Sequence, residues 1–282
     1  MQNYFSNSYL LQVQGFLVMK NSVNLNINCS KIEKKIIEFI IKTNENAGVN
    51  GAVIGLSGGI DSSVTLALTV KALGPENVTV LTLPERDITL SSDIIDVMSL
   101  CKQLNLTCNT VDITPILHVI QNTIPLYDYD NRISNGNVKA RTRMIILYYY
   151  ANILNKLVIG TSNKSELLTG FFTKYGDGAV DIMPLGDLYK TQIRQLAQYL
   201  NIPKSIIDKP PSPGFFSGQT DEGELGIDYT TLDLILYLLE KDFTKKQISE
   251  NINVPISKVE SIINRVNANE HKRRPPLILR LS

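Results

Sequence analysis

The residues best suited to chemistry lie in one short stretch, Gly55-Leu56-Ser57-Gly58-Gly59-Ile60-Asp61-Ser62-Ser63. Adjacent glycines let a backbone approach an anion closely. Ser57, Ser62 and Ser63 add hydroxyl donors, and a helix beginning here adds free N–H groups. The stretch lacks the Gly-Lys-Ser/Thr of a Walker loop, and Gly55, Gly58 and Gly59 have the wrong spacing for a dinucleotide fingerprint. Asp61 argues against a bare phosphate pocket. A carboxylate beside polyphosphate repels it unless Mg²⁺ lies between them. The plainer alternative is a tight turn with packing glycines and capping serines. The coincidence of strand, glycine pair, Asp and helix favours a binding loop.

The elements around this loop follow from hydrophobic spacing. Ile32, Ile36, Ile37, Phe39 and Ile40 mark a helix over Lys31–Ile41. Gly51–Leu56 is a buried strand, and a helix over Val64–Leu73 is closed by Gly74-Pro75. Val78–Leu83 is the next strand. Thr89–Leu104 is a helix, with Ser91 or Ser92 as cap. Leu106–Ile113 is a third strand, leading to a helix capped by Asp112 and Thr114. Asn137–Leu154 is a long helix, apolar over much of its circumference, which suggests core or a subunit interface. Lys156–Thr161 is the last clear strand. The pattern predicts an α/β fold, three-layered, with a mostly parallel sheet flanked by helices. In such a sheet, ligands bind outside the carboxyl ends of the strands, where the loop falls. Beyond Thr169 the chain is punctuated by Gly, Pro and Asp. Lys209–Gly226 has no hydrophobic period and reads as a lid. Leu232–Leu239, Lys245–Ile252 and Ile256–Ala268 form a small helical C-terminal part.

Composition bounds the function. The 282 residues are 43% hydrophobic and 20% charged, which excludes a disordered or collagenous chain. Lys+Arg of 28 against Asp+Glu of 27 gives a net charge of +1, with no global pull toward nucleic acid or membrane. Cys29, Cys101 and Cys108 have neither disulfide-framework nor metal spacing, which points to a reducing, cytoplasmic setting. No apolar run is long enough to span a bilayer. Residues 1–28 are expected to be a variable extension and residues 29–282 a single domain.

The Gly55–Ser63 loop resembles the signature of the ATP pyrophosphatases, the adenine nucleotide alpha-hydrolase-like superfamily, which cleaves ATP between its α and β phosphates. Downstream motifs narrow the resemblance. Asn137-Val-Lys-Ala-Arg-Thr-Arg-Met144, Gly160-Thr-Ser-Asn-Lys-Ser-Glu166, Thr169-Gly-Phe-Phe-Thr-Lys-Tyr-Gly-Asp-Gly178 with Asp181, Gln219-Thr-Asp-Glu-Gly-Glu-Leu-Gly226 and His271-Lys-Arg-Arg274 together resemble the ammonia-dependent NAD synthetases. The form Lys209-Pro-Pro-Ser-Pro-Gly214 is similar to the archaeal branch. The resemblance runs from about Ile32 to Arg274.

That resemblance implies a ligase with a Rossmann-like fold. It would adenylate the carboxylate of nicotinic acid adenine dinucleotide (deamido-NAD) with ATP, then displace AMP with ammonia to yield NAD. It implies an ATP site of Gly55, Leu56, Ser57, Gly58, Gly59, Ile60, Asp61, Ser62, Thr161, Lys190 and Ser212. Asp61 and Glu166 would share Mg²⁺. Arg141, Lys174, Asp181, His271 and Lys272 would bind deamido-NAD. Asp177 and Lys190 would be catalytic, Asp177 beside the ammonia. A homodimer is implied too.

Other readings compete. A tRNA-modifying or amidotransferase-subunit pyrophosphatase shares the loop, but no RNA-binding appendage or catalytic cysteine is evident. Thr244–Arg274 taken alone resembles a helix-turn-helix, with Lys258, Arg265 and the basic tail meeting DNA phosphates. The near-neutral charge and the upstream motifs argue against nucleic acid. Asp61 could be a helix cap, Lys174 and Lys190 surface cations, and Asp177 a turn-former.

Overall fold

The computed structural model describes residues 23–281 apart from Asp87 and Ser217. The expected N-terminal extension therefore lies outside the described residues over positions 1–22. Its remaining residues, 23–28, pack on the body: Val23 and Leu25 join the C-terminal helical cluster and Ile27 the main core.

Helix α1 (Cys29–Ala47) leads into β1 (Ala52–Gly55), α2 (Ile60–Leu73), β2 (Val78–Thr82), α3 (Ser91–Gln103), β3 (Cys108–Thr110), α4 (Thr114–Thr123), α5 (Arg132–Leu154) and β4 (Leu157–Ile159). The strands form one parallel sheet in the order β3-β2-β1-β4, with Ile54 opposite Ile159 and Ile54 opposite Val80. The chain thus builds outward from β1 through β2 and β3, then crosses to the other side of β1 for β4. The expected α/β sheet is present. Its third strand is shorter than the predicted Leu106–Ile113, and α5 begins earlier than Asn137.

Period-two alternation places the two faces. Ala52, Ile54, Val80 and Ile159 point into a core shared with α1, α2 and α3, while Val53, Leu81 and Val158 point toward α4 and α5. Every side chain named here is under a tenth exposed, so both faces are covered, as a parallel sheet requires.

After β4 come α6 (Lys164–Thr169), α7 (Lys190–Tyr199), α8 (Lys204–Ile207), α9 (Asp221–Leu225), α10 (Tyr229–Glu240), α11 (Lys245–Ile252) and α12 (Ile256–Ala268). The last three helices match the expected C-terminal part and enclose their own core around Leu232, Ile235, Ile248 and Val259. Helix α7 has no counterpart in the predicted elements. Its Ile193, Leu196 and Ala197 are buried against the main core. The segment expected to be an irregular lid contains α9, and its Phe215 and Phe216 lie over α5, where Arg132 and Lys139 approach the Phe216 ring at 4.6 and 4.8 Å.

Candidate active site

The order β3-β2-β1-β4 puts a topological switch point between β1 and β4, where a crevice opens at the strands' carboxyl ends. The residues leaving these two strands are the Gly55–Ser63 loop and Gly160–Glu166.

The loop is built by its own hydroxyls. Ser57 Oγ accepts from the Gly59 N–H at 3.3 Å and lies 3.1 Å from Ser62 Oγ, which donates to the Gly59 carbonyl at 3.0 Å. Gly58 sits at φ +81°, and a Cβ there would meet the Asp93 carbonyl oxygen at 2.9 Å. Glycine is needed on both counts. Lys209 fixes the loop from outside, donating to the Gly58 carbonyl at 3.2 Å and pairing with Asp93 and Asp96 of α3 at 2.7 and 2.6 Å. Helix α2 starts at Ile60, not at Val64, so Asp61 lies in its first turn and the free N–H groups of the turn face the loop.

Asp61 reaches across the crevice. Its Oδ1 accepts from Asn163 Nδ2 at 3.0 Å and its Oδ2 pairs with Lys190 Nζ at 2.5 Å. The same ammonium lies 3.2 Å from Glu166 Oε1. Glu166 belongs to a capping box with Asn163 at the start of α6, which fixes its backbone. Lys190, the first residue of α7, is 2% exposed. Its backbone N–H donates to Ser165 Oγ at 3.0 Å, and Ser165 in turn donates to Asp233 Oδ1 at 2.5 Å. Asp233 also accepts from the Thr191 N–H at 2.8 Å. This buried carboxylate of α10 thus ties the start of α7 to α6 and aims Lys190. Asp221 stands 4.0 Å from the ammonium. Sequence reasoning missed Lys209, Asn163, Asp221 and Asp233 as participants. For Asp233, the signal was a lone carboxylate inside the apolar run Leu232–Leu239.

Electrostatics follow from this crowding. Burial pushes the Glu166 carboxyl up to about 8; the Lys190 ammonium opposes the shift, and Asp61 and Asp221 add to it. Burial disfavours the Lys190 ammonium, but Asp61, Glu166 and Asp221 outweigh that and raise it, so it stays charged. The sign of the Glu166 effect on stability is definite. A carboxyl whose pKa is raised from an ordinary 4.5 binds its proton more tightly when folded, so its contribution fades as pH rises through about 8. Glu166→Gln, which keeps the shape and removes the titration, is expected to gain several °C in melting temperature over the parent between about pH 5 and about pH 9. Parallel melting curves across that range would show that Glu166 is not so perturbed.

The remaining predicted residues fall into two groups. Arg141 donates from Nε and Nη2 to the Lys174 carbonyl at 3.3 and 3.2 Å, and Lys174 Nζ donates to the His271 carbonyl at 2.7 Å. Lys272 Nζ donates to the carbonyls of Gly170 and Phe172 at 2.7 and 3.1 Å. Asp177, solvent-exposed, accepts from the Thr173 N–H at 2.9 Å. The segment 170–178 therefore gathers Arg141, Lys174, Asp177, His271 and Lys272 in one neighbourhood. Asp181 is bonded elsewhere: its oxygens accept from the Val158 N–H at 2.7 Å and the Tyr148 hydroxyl at 3.1 Å, beside β4. Thr161 lies two residues after the end of β4 and two before Asn163. Ser212 Oγ accepts from the Gly214 N–H at 3.1 Å.

The NAD synthase family model matches residues 32–276. An NH₃-dependent NAD⁺ synthetase of Methanosarcina acetivorans is 45% identical over 246 residues, 87% of this chain and 96% of that protein. The solved NMN synthetase from Francisella tularensis superposes with a TM-score of 0.80 at 36% identity, over 90% of this chain and 99% of that one. The NH₃-dependent NAD synthetase from Campylobacter jejuni gives 0.77 at 36% identity, over 90% and 100%. A family model that takes in both sides of the β1/β4 crevice and the basic tail, and an archaeal relative matched almost end to end, lead to one conclusion: the chain belongs to the NAD synthase family.

Proposed function

We propose that the chain amidates the carboxylate of deamido-NAD with ammonia, driven by cleavage of ATP to AMP and diphosphate. One observation carries the reading: Asp61, Glu166 and Lys190 meet at a single point beside the Gly55–Ser62 loop, in the switch crevice. A phosphate-binding loop alone would need no such acid pair.

The donor set suits Mg²⁺. Asp61 Oδ2 and Glu166 Oε1 both lie within 3.2 Å of one nitrogen, so two hard carboxylate oxygens already converge on one cation position. Mg²⁺ takes few protein ligands and completes its shell with phosphate oxygens and water, so two such oxygens suffice. Bound there, Mg²⁺ would supply charge neutralisation at the polyphosphate.

The chain's residues account for the rest. Substrate carboxylate oxygen attacks the α-phosphorus, the bond to the bridging oxygen breaks, and diphosphate leaves. The N–H groups at the Ser57–Gly59 turn and the first turn of α2 oppose the charge that develops on diphosphate, together with the Lys190 ammonium. Thr161 and Ser212 offer hydroxyls toward the nucleotide. Arg141, Lys174, His271 and Lys272 supply cationic and hydrogen-bonding groups for the dinucleotide, with Asp181 as an acceptor. Ammonia then attacks the acyl carbon through its lone pair, AMP leaves, and one proton is lost. Asp177 is assigned to orient ammonia or accept that proton.

The reading extends to assembly and location. Ile133, Ile145, Tyr149 and Ile153 of α5 are all more than three-fifths exposed, which supports a homodimer formed through this face. The three cysteines are free, which suits the cytoplasm. No helix among the described residues is long and apolar enough to cross a membrane.

The experiment is direct. The chain is mixed with Mg-ATP, ammonium and deamido-NAD, and NAD and AMP are counted. Equal amounts of the two products are expected. The likeness to an NMN synthetase favours a second arm with nicotinic acid mononucleotide as acceptor. Faster turnover of the mononucleotide would move the assignment to that substrate, and AMP formation with neither would end it.

A further inference from the structure

Asp221 opens helix α9 with a carboxyl that is 4% exposed. Its Oδ2 accepts from the Tyr229 hydroxyl at 2.9 Å and stands 4.0 Å from Lys190 Nζ, beyond hydrogen-bond reach. Its Oδ1 is buried with no hydrogen-bond partner. An unbonded carboxylate oxygen in the interior is costly, and the other oxygen of this same carboxyl stands 4.0 Å from an ammonium that has donors to give.

That ammonium is at present engaged by Asp61 and Glu166, the same two carboxylates that the metal reading above assigns to a divalent cation. An ammonium and a dication cannot both hold this pair at contact distance without strong repulsion. When the cation binds, Lys190 needs another acceptor. The Tyr229 ring lies 5.1 Å from Nζ and carries the hydroxyl bonded to Asp221, so ammonium, ring and spare carboxylate are adjacent.

We infer that Asp221 is a positioning residue that receives the Lys190 ammonium as Asp61 and Glu166 turn to the cation. It acts through Lys190 and keeps that charge in the site without competing for the metal position. The inference rests on the metal reading of Asp61 and Glu166.

The test uses Mn²⁺ alone as the probe, titrated into the full chain without nucleotide and followed by electron paramagnetic resonance. Asp221→Asn keeps the shape and is expected to weaken Mn²⁺ binding about tenfold, about 1.4 kcal/mol. In a Lys190→Met background the same change is expected to matter less than about twofold, because no ammonium awaits an acceptor. An equal loss in both backgrounds would mean that Asp221 acts directly on the cation and would overturn the inference. So would no loss in the parent background.

Lys190→Met leaves buried acids without their cation, so two further variants keep the test decisive if it fails to fold. Asp221→Glu is expected to recover most of the affinity, and Tyr229→Phe to leave it within about twofold. Asp221→Glu binding as weakly as Asp221→Asn would overturn the inference. A parent chain that binds no Mn²⁺, or binds it equally after Asp61→Asn, would bring down the metal reading and this inference together. Failure in the Asp221 variants alone would bring down only the inference.

Discussion

Asp61→Asn is expected to keep the fold and lose adenylation by roughly two to four orders of magnitude. The fold should survive because Asn has the same shape and its oxygen can still accept from Asn163 Nδ2, now at 3.0 Å from Asp61 Oδ1. Lys190 would keep its hydrogen bond to Glu166 Oε1 at 3.2 Å. What disappears is a full negative charge, 15% exposed, at the head of α2 beside the phosphate loop. Without it the polyphosphate faces the crevice with one cation ligand fewer, and the charge on departing diphosphate is less well opposed. The measurement is single-turnover release of AMP and diphosphate, taken beside a melting curve. Turnover within about threefold of the parent, at an unchanged melting temperature, would remove Asp61 from the chemistry.

The position of Asp61 was legible in the sequence because everything that defines it is local. A short apolar strand, two glycines, serines and an apolar helix lie within a few residues of one another, and the sheet rule then says where such a loop points. Glu166 is indicated only by the resemblance of the Gly160–Glu166 motif, since no hydrophobic spacing marks the short helix Lys164–Thr169 that carries it. Their proximity required one further step, the parallel pairing of β1 with β4, which the alternating pattern implies without fixing.

Lys190 shows what local reading does not reach. The helix it opens has buried Ile193, Leu196 and Ala197 at helical spacing, but its cap is Tyr189 with Gln192, not Ser, Thr, Asp or Asn, and a turn-rich segment precedes it. Asp233 and Asp221 are further still from local inference. Each earns meaning only when α10 and α9 fold back on α6 and α7, bringing Asp233 to Ser165 and Asp221 near Lys190. The Lys209 clamp is of the same kind, joining Gly58 to α3 across more than a hundred residues of chain. These are tertiary contacts between polar groups, and no periodicity announces them. Lys209–Gly226, by contrast, reads as a lid from its Pro and Gly content, and no sequence pattern foretells that Phe215 and Phe216 rest on cations of α5.

The nitrogen donor gives the second large effect. Releasing ammonia from glutamine needs a nucleophilic thiolate and a neighbouring base, usually a hydrogen-bonded histidine. The sequence holds three cysteines and two histidines, all among the described residues. Cys101 is 2% exposed inside the main core. The neighbouring Cys108 and burial push its thiol up, away from the reactive thiolate. Cys29 opens α1 and Cys108 opens β3, whereas His118 lies on α4 and His271 in the turn after α12. No Cys–His hydrogen bond is present among the described residues. Free ammonia is therefore the expected nucleophile, and glutamine alone should support less than about a hundredth of the ammonium-driven rate. At fixed total ammonium the rate should rise with pH, since only the neutral form carries a lone pair; a flat profile under conditions where amide formation limits turnover would count against direct attack by ammonia. Glutamine-driven NAD synthesis by the purified chain at the ammonium rate would mean that one of these thiols has a base the fold does not reveal, and Cys29→Ser, Cys101→Ser and Cys108→Ser would identify which.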